Sequence, residues 1–156
     1  SNIEQLNLSN VTTLHSDDFV SCKNLKSIDF GNKIERIPEG CFMWCDSLEE
    51  IYLPEQIIGI STNAFCHCQS LKKVVIAGDV FAVLEHLSNM FTSCSPDLVI
   101  YCNDSLIDDE LFQMKYIDNE KDMPNIEVYR LDDLNNPDAK SVIKSRSSNT
   151  SQTHKL

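Results

Sequence analysis

The sequence predicts an α/β-type repeat solenoid with a parallel β-sheet along one face. Three observations lead there. Phe19, Phe42 and Phe65 are spaced 23 residues apart, and the sets Cys22/Cys45/Cys68 and Leu25/Leu48/Leu71 keep the same step. The runs LKSIDF, LEEIYL and LKKVVI recur at that interval, each with apolar residues alternating at the two-residue period of a strand. One such unit is too small to bury its own apolar face, so stacked units must share a core.

Four copies follow one another. IEQLNLSNVTTLHSDDFVSCKNL (3–25) has a first loop one residue shorter than the next copy, KSIDFGNKIERIPEGCFMWCDSL (26–48). EEIYLPEQIIGISTNAFCHCQSL (49–71) repeats that pattern, and KKVVIAGDVFAVLEHLSNMFTSCSPDL (72–98) lengthens it while keeping Phe91 and Cys94. Each copy opens with a strand whose inward residues are Ile28/Phe30, Ile51/Leu53 or Val74/Ile76. A turn follows, marked by Gly31-Asn32, Pro54 or Gly78. A second apolar pair comes next, Ile34/Ile37 or Ile57/Ile60, and a short turn or helical piece carries Phe-x-x-Cys. Strands of adjacent coils are expected to pair in parallel at about 4.8 Å.

This pattern resembles the BspA-like leucine-rich repeats, whose consensus is of the type Ala-Phe-x-x-Cys-x-x-Leu-x-x-Ile-x-Leu-Pro. Residues 64–76 follow it with Val74 and Ile76 at the last apolar positions; residues 41–54 follow it with Cys41 for Ala and Pro54 in place. The resemblance covers residues 3–102. It implies a right-handed solenoid and a non-enzymatic binding role at the cell surface or in secreted form. The resemblance does not identify a ligand; the expected partner is a protein, with a host protein or a glycan as the kinds considered. A purely structural segment of a larger surface protein, with no ligand of its own, is the alternative.

The column accounts for the cysteines. Cys22, Cys45, Cys68 and Cys94 share one repeat position, Cys41 takes the place of Ala64, and Cys102 replaces an apolar strand residue. Buried cysteine packs as a small hydrophobe. Only Cys66 falls in a variable column, beside Val20, Met43 and Thr92, so an exposed thiol is expected there. His67, aligned with Ser21 and Trp44, reads as a surface histidine. A metal or redox site built on Cys41, Cys45 and Cys68 is the remote alternative, because the paired Cys-x-x-Cys spacing of zinc sites is missing. Neighbouring coils also bring Cys22 and Cys45 to a separation of about 5 Å, which a disulfide could span. Free thiols are expected instead, and no metal or cofactor is assigned.

Residues pointing away from the core define the candidate binding face. One outward row runs Gln5, Ser27, Glu50, Lys73, Val99, and the next runs Asn7, Asp29, Tyr52, Val75, Tyr101. Tyr52, Val75 and Tyr101 form an apolar patch suited to recognition, with Glu50, Lys72 and Lys73 beside it. Glu50 and Lys73 are expected to pair across the ladder. A C-terminal segment folded over the patch would leave it unavailable.

The repeat ends at Cys102, which bounds a solenoid of residues 1–102. Ser105-Leu-Ile-Asp108 reads as a capping box opening a helix near 106–116, and IEVYRL (126–131) as a strand added to the open sheet end. Together these make a helix-strand cap over 103–134. Residues 135–156 read as a flexible polar tail.

Net charge is -11, distributed as -7 over residues 1–102, -7 over 103–133 and +3 over 134–156. That balance disfavours nucleic acid as a partner. No apolar run reaches membrane-spanning length, and SNIEQLNLSN lacks a signal-peptide profile, so no membrane insertion is expected. A monomer is expected. Sequons at Asn7, Asn10, Asn103 and Asn149 arise readily in an Asn- and Ser-rich chain. No nucleophile elbow, HExxH or phosphate-binding glycine loop occurs, and the four histidines are scattered, so no enzymatic activity is expected.

Overall fold

The computed structural model describes residues 2–61, 63–79, 90–108 and 127–142. Polar and apolar residues alternate at the start of each repeat, and there the chain forms strands: β1 (Gln5–Asn7), β2 (Ser27–Asp29), β4 (Glu50–Leu53), β6 (Lys73–Ile76) and β7 (Val99–Cys102). β1 pairs with β2 in parallel, Leu6 opposite Ile28. β4, β6 and β7 form a second parallel ladder in which Ile51, Val74 and Ile100 stand in line. The apolar pair that follows the turn makes two further short strands, β3 (Arg36–Ile37) and β5 (Gly59–Ile60), paired in parallel. The result is a parallel-strand solenoid of about four turns.

The expected pairing between adjacent coils is interrupted at one place among the described residues. β2 and β4 lie side by side, but no strand ladder joins them. The second and third coils are held together on the neighbouring side instead, where Ile37 stands opposite Ile60 and the Ile58 N–H donates to Glu35 O at 2.9 Å.

The Phe column is the spine. Phe42 stacks on Phe19 on one side and Phe65 on the other, each at 5.4 Å between centroids, and Phe65 continues to Phe91 at 5.9 Å. Phe30 meets Phe42 edge-on at 5.7 Å. Around this spine Leu25, Leu48, Leu71 and Leu98 are fully buried, as the repeat column requires.

The turn carrying Phe-x-x-Cys is tied to the next coil by backbone bonds. The N–H groups of Ser21, Trp44 and His67 donate to the carbonyls of Met43, Cys66 and Thr92 at 2.8, 3.0 and 2.8 Å. Ser21, Trp44, His67 and Ser93 all have left-handed backbone, with φ of 59, 64, 61 and 57°. A position that looks free to vary in side chain is therefore fixed in backbone. Gly31 has φ of 64°, and a Cβ there would lie 2.6 Å from Ser9 Cα, so both conformation and close approach require glycine.

Beyond β7, helix α1 (Asp104–Ile107) is capped by Asn103, whose Oδ1 accepts from the Leu106 N–H at 3.2 Å. The expected capping box at Ser105 is thus displaced by two residues. The Ser105 hydroxyl is taken up by Asn103 Oδ1 at 2.7 Å and Asp79 Oδ1 at 3.0 Å, which removes it from capping. The part of the expected helix from 109 to 116 lies outside the described residues.

β8 (Glu127–Arg130) adds to the sheet beside β7, Val128 opposite Ile100. The chain then makes a 3-10 turn, Leu131–Asp133, and comes back along β8. The Val128 N–H donates to Ser141 Oγ at 3.0 Å, and the Val142 N–H donates to Val128 O at 2.9 Å. Residues 135–142 therefore do not form the free tail expected from their polarity. They satisfy the outer edge of β8, whose backbone groups would otherwise lack partners. The rest of that expected tail, 143–156, lies outside the described residues.

Candidate functional site

Register brings the predicted face residues into two rows. Tyr52, Val75, Tyr101 and Tyr129 occupy one; Glu50, Lys73, Val99 and Glu127 occupy the other. Tyr52 is 53% exposed and is the most open large apolar side chain described. Val75, next to it, is only 5% exposed. The sequence places Val75 outward, and it does point away from the core, but Leu134 and Asn135 of the returning segment face it across a groove. The patch is therefore partly roofed.

Tyr101 is half-buried because it stacks on Tyr129, centroids 5.2 Å apart and planes 20° from parallel. Tyr129 in turn donates from its hydroxyl to Glu127 Oε2 at 2.6 Å. That bond to a carboxylate, with burial and the Glu127 charge adding to it, pushes the phenol up to about 12. Lys73 does not close the expected ion pair with Glu50, although the two stand opposite in the ladder. Its ammonium sits 5.7 Å from the Tyr101 centroid instead, where the ring face attracts it. Lys72 is exposed just before β6, with its backbone N–H bonded to Glu49 O at 2.9 Å.

Two open grooves flank Tyr52. One of about 530 Å³ lies over the seam between β2 and β4, with Ile28, Glu49 and Val75 in its wall. The other, about 490 Å³, continues past Glu55 and Ala77 beneath Leu131 and Asp132. Leu134 and Asn135 line both. The sequence reading missed Tyr129, Leu134 and Asn135. Tyr129 was findable, since VIYC (99–102) and EVYR (127–130) place their tyrosines alike. Leu134 and Asn135 carry no repeat signal.

The cysteines form a different kind of column. All seven are free thiols. Cys45, Cys68 and Cys94 each donate to the carbonyl of the Phe one coil earlier, Phe19, Phe42 and Phe65, at 3.4, 3.1 and 3.2 Å. The position thus asks for a small apolar group that can also donate a weak hydrogen bond. The neighbouring Cys45 thiol, with burial, holds Cys68 well above the usual thiol range. Burial pushes Cys94 and Cys102 up to about 12, with the nearby Asp104 carboxylate adding to the second. Cys66, expected as an exposed thiol, is buried at 5% exposure, and burial raises it too. His67 is half-buried, stacked on Trp44 at 4.1 Å. Among the described residues no three His, Cys, Asp or Glu side chains gather as metal ligands, and no helix is long and apolar enough to cross a membrane.

Residues 1–118 match the family described as the BspA type leucine rich repeat region, in six copies. The chain belongs to that family. The Phe-x-x-Cys turn and parallel strands are thus its leucine-rich repeats. A solved leucine rich cell surface protein from Faecalibacterium prausnitzii is similar over 51% of this chain, at 27% identity and a TM-score of 0.44, and the chain spans 24% of that protein's length. No curated protein matches this leucine-rich repeat chain.

Proposed function

We propose that this leucine-rich repeat chain is a non-catalytic recognition module that binds a protein through its sheet face. The observation that carries this reading is Tyr52, an aromatic side chain left 53% exposed between two grooves on a face otherwise built of packed rows. Exposed tyrosine is favoured at binding hot spots, because it offers a large apolar area with little conformational entropy to lose. Val75 and the Tyr101–Tyr129 stack extend the apolar row, while Glu50 and Lys73 supply polar contacts beside it. Lys72 contributes charge at the strand entry. The repeats give a rigid scaffold with little reordering to do on binding, which favours affinity. A setting at the cell surface or outside the cell, and a monomeric state, belong to the same proposal; the first rests on family membership.

The test is to measure binding of a partner captured from matrix or host-cell material to the wild type and to Tyr52→Ala and Tyr101→Ala. Each variant should lose about 1–2 kcal/mol of affinity while still folded, with the melting temperature unchanged for Tyr52→Ala and lowered for Tyr101→Ala, which loses the Tyr129 stack. Affinity untouched in both variants would remove the sheet face as the site.

A further inference from the structure

We propose that the two grooves are one trough, and that its occupant is an extended cationic peptide. This rests on the sheet-face reading above and names the kind of partner. The grooves meet at Tyr52 and share the Leu134–Asn135 wall, so they form one path beside β4, from Glu49 at its entry to Glu55 beyond its end. β4 itself (Glu50–Leu53) matches about four extended residues, and the path runs on into the turn that carries Glu55.

Charge selects the peptide. Of the cations on this path, Lys26 is paired with Glu4 at 3.7 Å and Lys73 lies over the Tyr101 ring. Glu49, Glu50, Glu55 and Asp132 form no ion pair among the described residues. At the far end Glu55 and Asp132 meet no lysine or arginine in the groove wall, while at the entry Glu49 and Glu50 stand beside Lys26 and Lys73, and the exposed Tyr52 ring lies between. A lysine or arginine side chain reads the far end and the ring, by ion pairing and by stacking on Tyr52 as Lys73 does on Tyr101. An acidic peptide would face repulsion from Glu55 and Asp132.

The experiment is fluorescence polarisation with a labelled hexapeptide of alternating lysine and serine, against its glutamate–serine counterpart. The cationic peptide should bind and the acidic one should not. Glu55→Lys and Asp132→Lys should each weaken binding about fivefold or more, and Tyr52→Ala about tenfold. Glu39→Lys makes the same change in net charge on the opposite flank and should leave binding nearly unchanged. Equal loss with Glu39→Lys would reduce the effect to the charge of the whole molecule and overturn the proposal. Equal binding of the two peptides would overturn it as well. If a captured protein binds in a Tyr52-dependent way while the cationic peptide does not, the peptide assignment falls and the sheet-face reading stands. If neither binding depends on Tyr52, both fall.

Discussion

Phe42 sits at the centre of the ring spine, with rings packed on both its faces and a third at its edge. Phe42→Ala should cost about 3–5 kcal/mol, read from urea unfolding; a loss below about 1 kcal/mol would contradict the spine. The left-handed positions give the opposite kind of prediction. Ser93 is exposed at φ of 57°, a conformation that penalises any residue with a Cβ. Ser93→Gly should raise stability by about 0.5–1 kcal/mol, whereas Ser93→Val should lower it, and thermal unfolding of the pair checks both. Neither the demand at Ser93 nor that at Trp44 and His67 is legible in the residue types, since Ser, Trp and His share no chemistry. Backbone conformation is set there by the coil-to-coil bonds.

At the level of the elements, two thiols link structure to pH, Cys94 of the repeat column and Cys102 of β7. Cys94 and Cys102 lose their protons near the ordinary value of 9.0 when unfolded but hold them to about 12 when folded. Their folded values are raised, so the stability they contribute is intact below about pH 9. It falls as pH climbs from there toward 12, because the unfolded chain releases protons first. The urea midpoint should therefore drop more steeply above pH 9 than below it, and Cys102→Ala should show a shallower drop. The repeat alignment found this column and its burial. It did not find the donation to the preceding Phe carbonyls, nor the burial of Cys66, because neighbouring coils supply those contacts. Gly31 shows the same limit from the other side. The turn was legible, but that a Cβ there would lie 2.6 Å from Ser9 Cα was not. Gly31→Ala should cost about 2 kcal/mol or more, measured as a shift in melting temperature.

For the whole molecule, the decisive feature is the chain after β8. It walls the groove beside Val75 with Leu134 and closes the outer edge of β8 through Ser141 and Val142. Truncation after Arg130 should bare that edge and the Val75 row, lowering the melting temperature and promoting self-association, relative to truncation after Val142. Light scattering and thermal unfolding of the two chains check this. A solenoid otherwise gains stability mainly from contacts between neighbouring coils, so losing an end cover weakens the nearest coil first.

The repeat, the inward columns, the register of Tyr52, Val75 and Tyr101, and the strand at 127–130 are all legible in the residue order alone. A coil that stacks on its own copy must repeat its buried residues at a fixed step, and that step can be counted. The burial of Val75, the turn of Lys73 from Glu50 to the Tyr101 ring, and the stop of the ladder between β2 and β4 emerge only once the coils are packed, because each depends on contacts across coils and not on the residues of one. Leu134 shares a groove wall with Val75 from 59 residues away along the chain, and no local pattern records that placement.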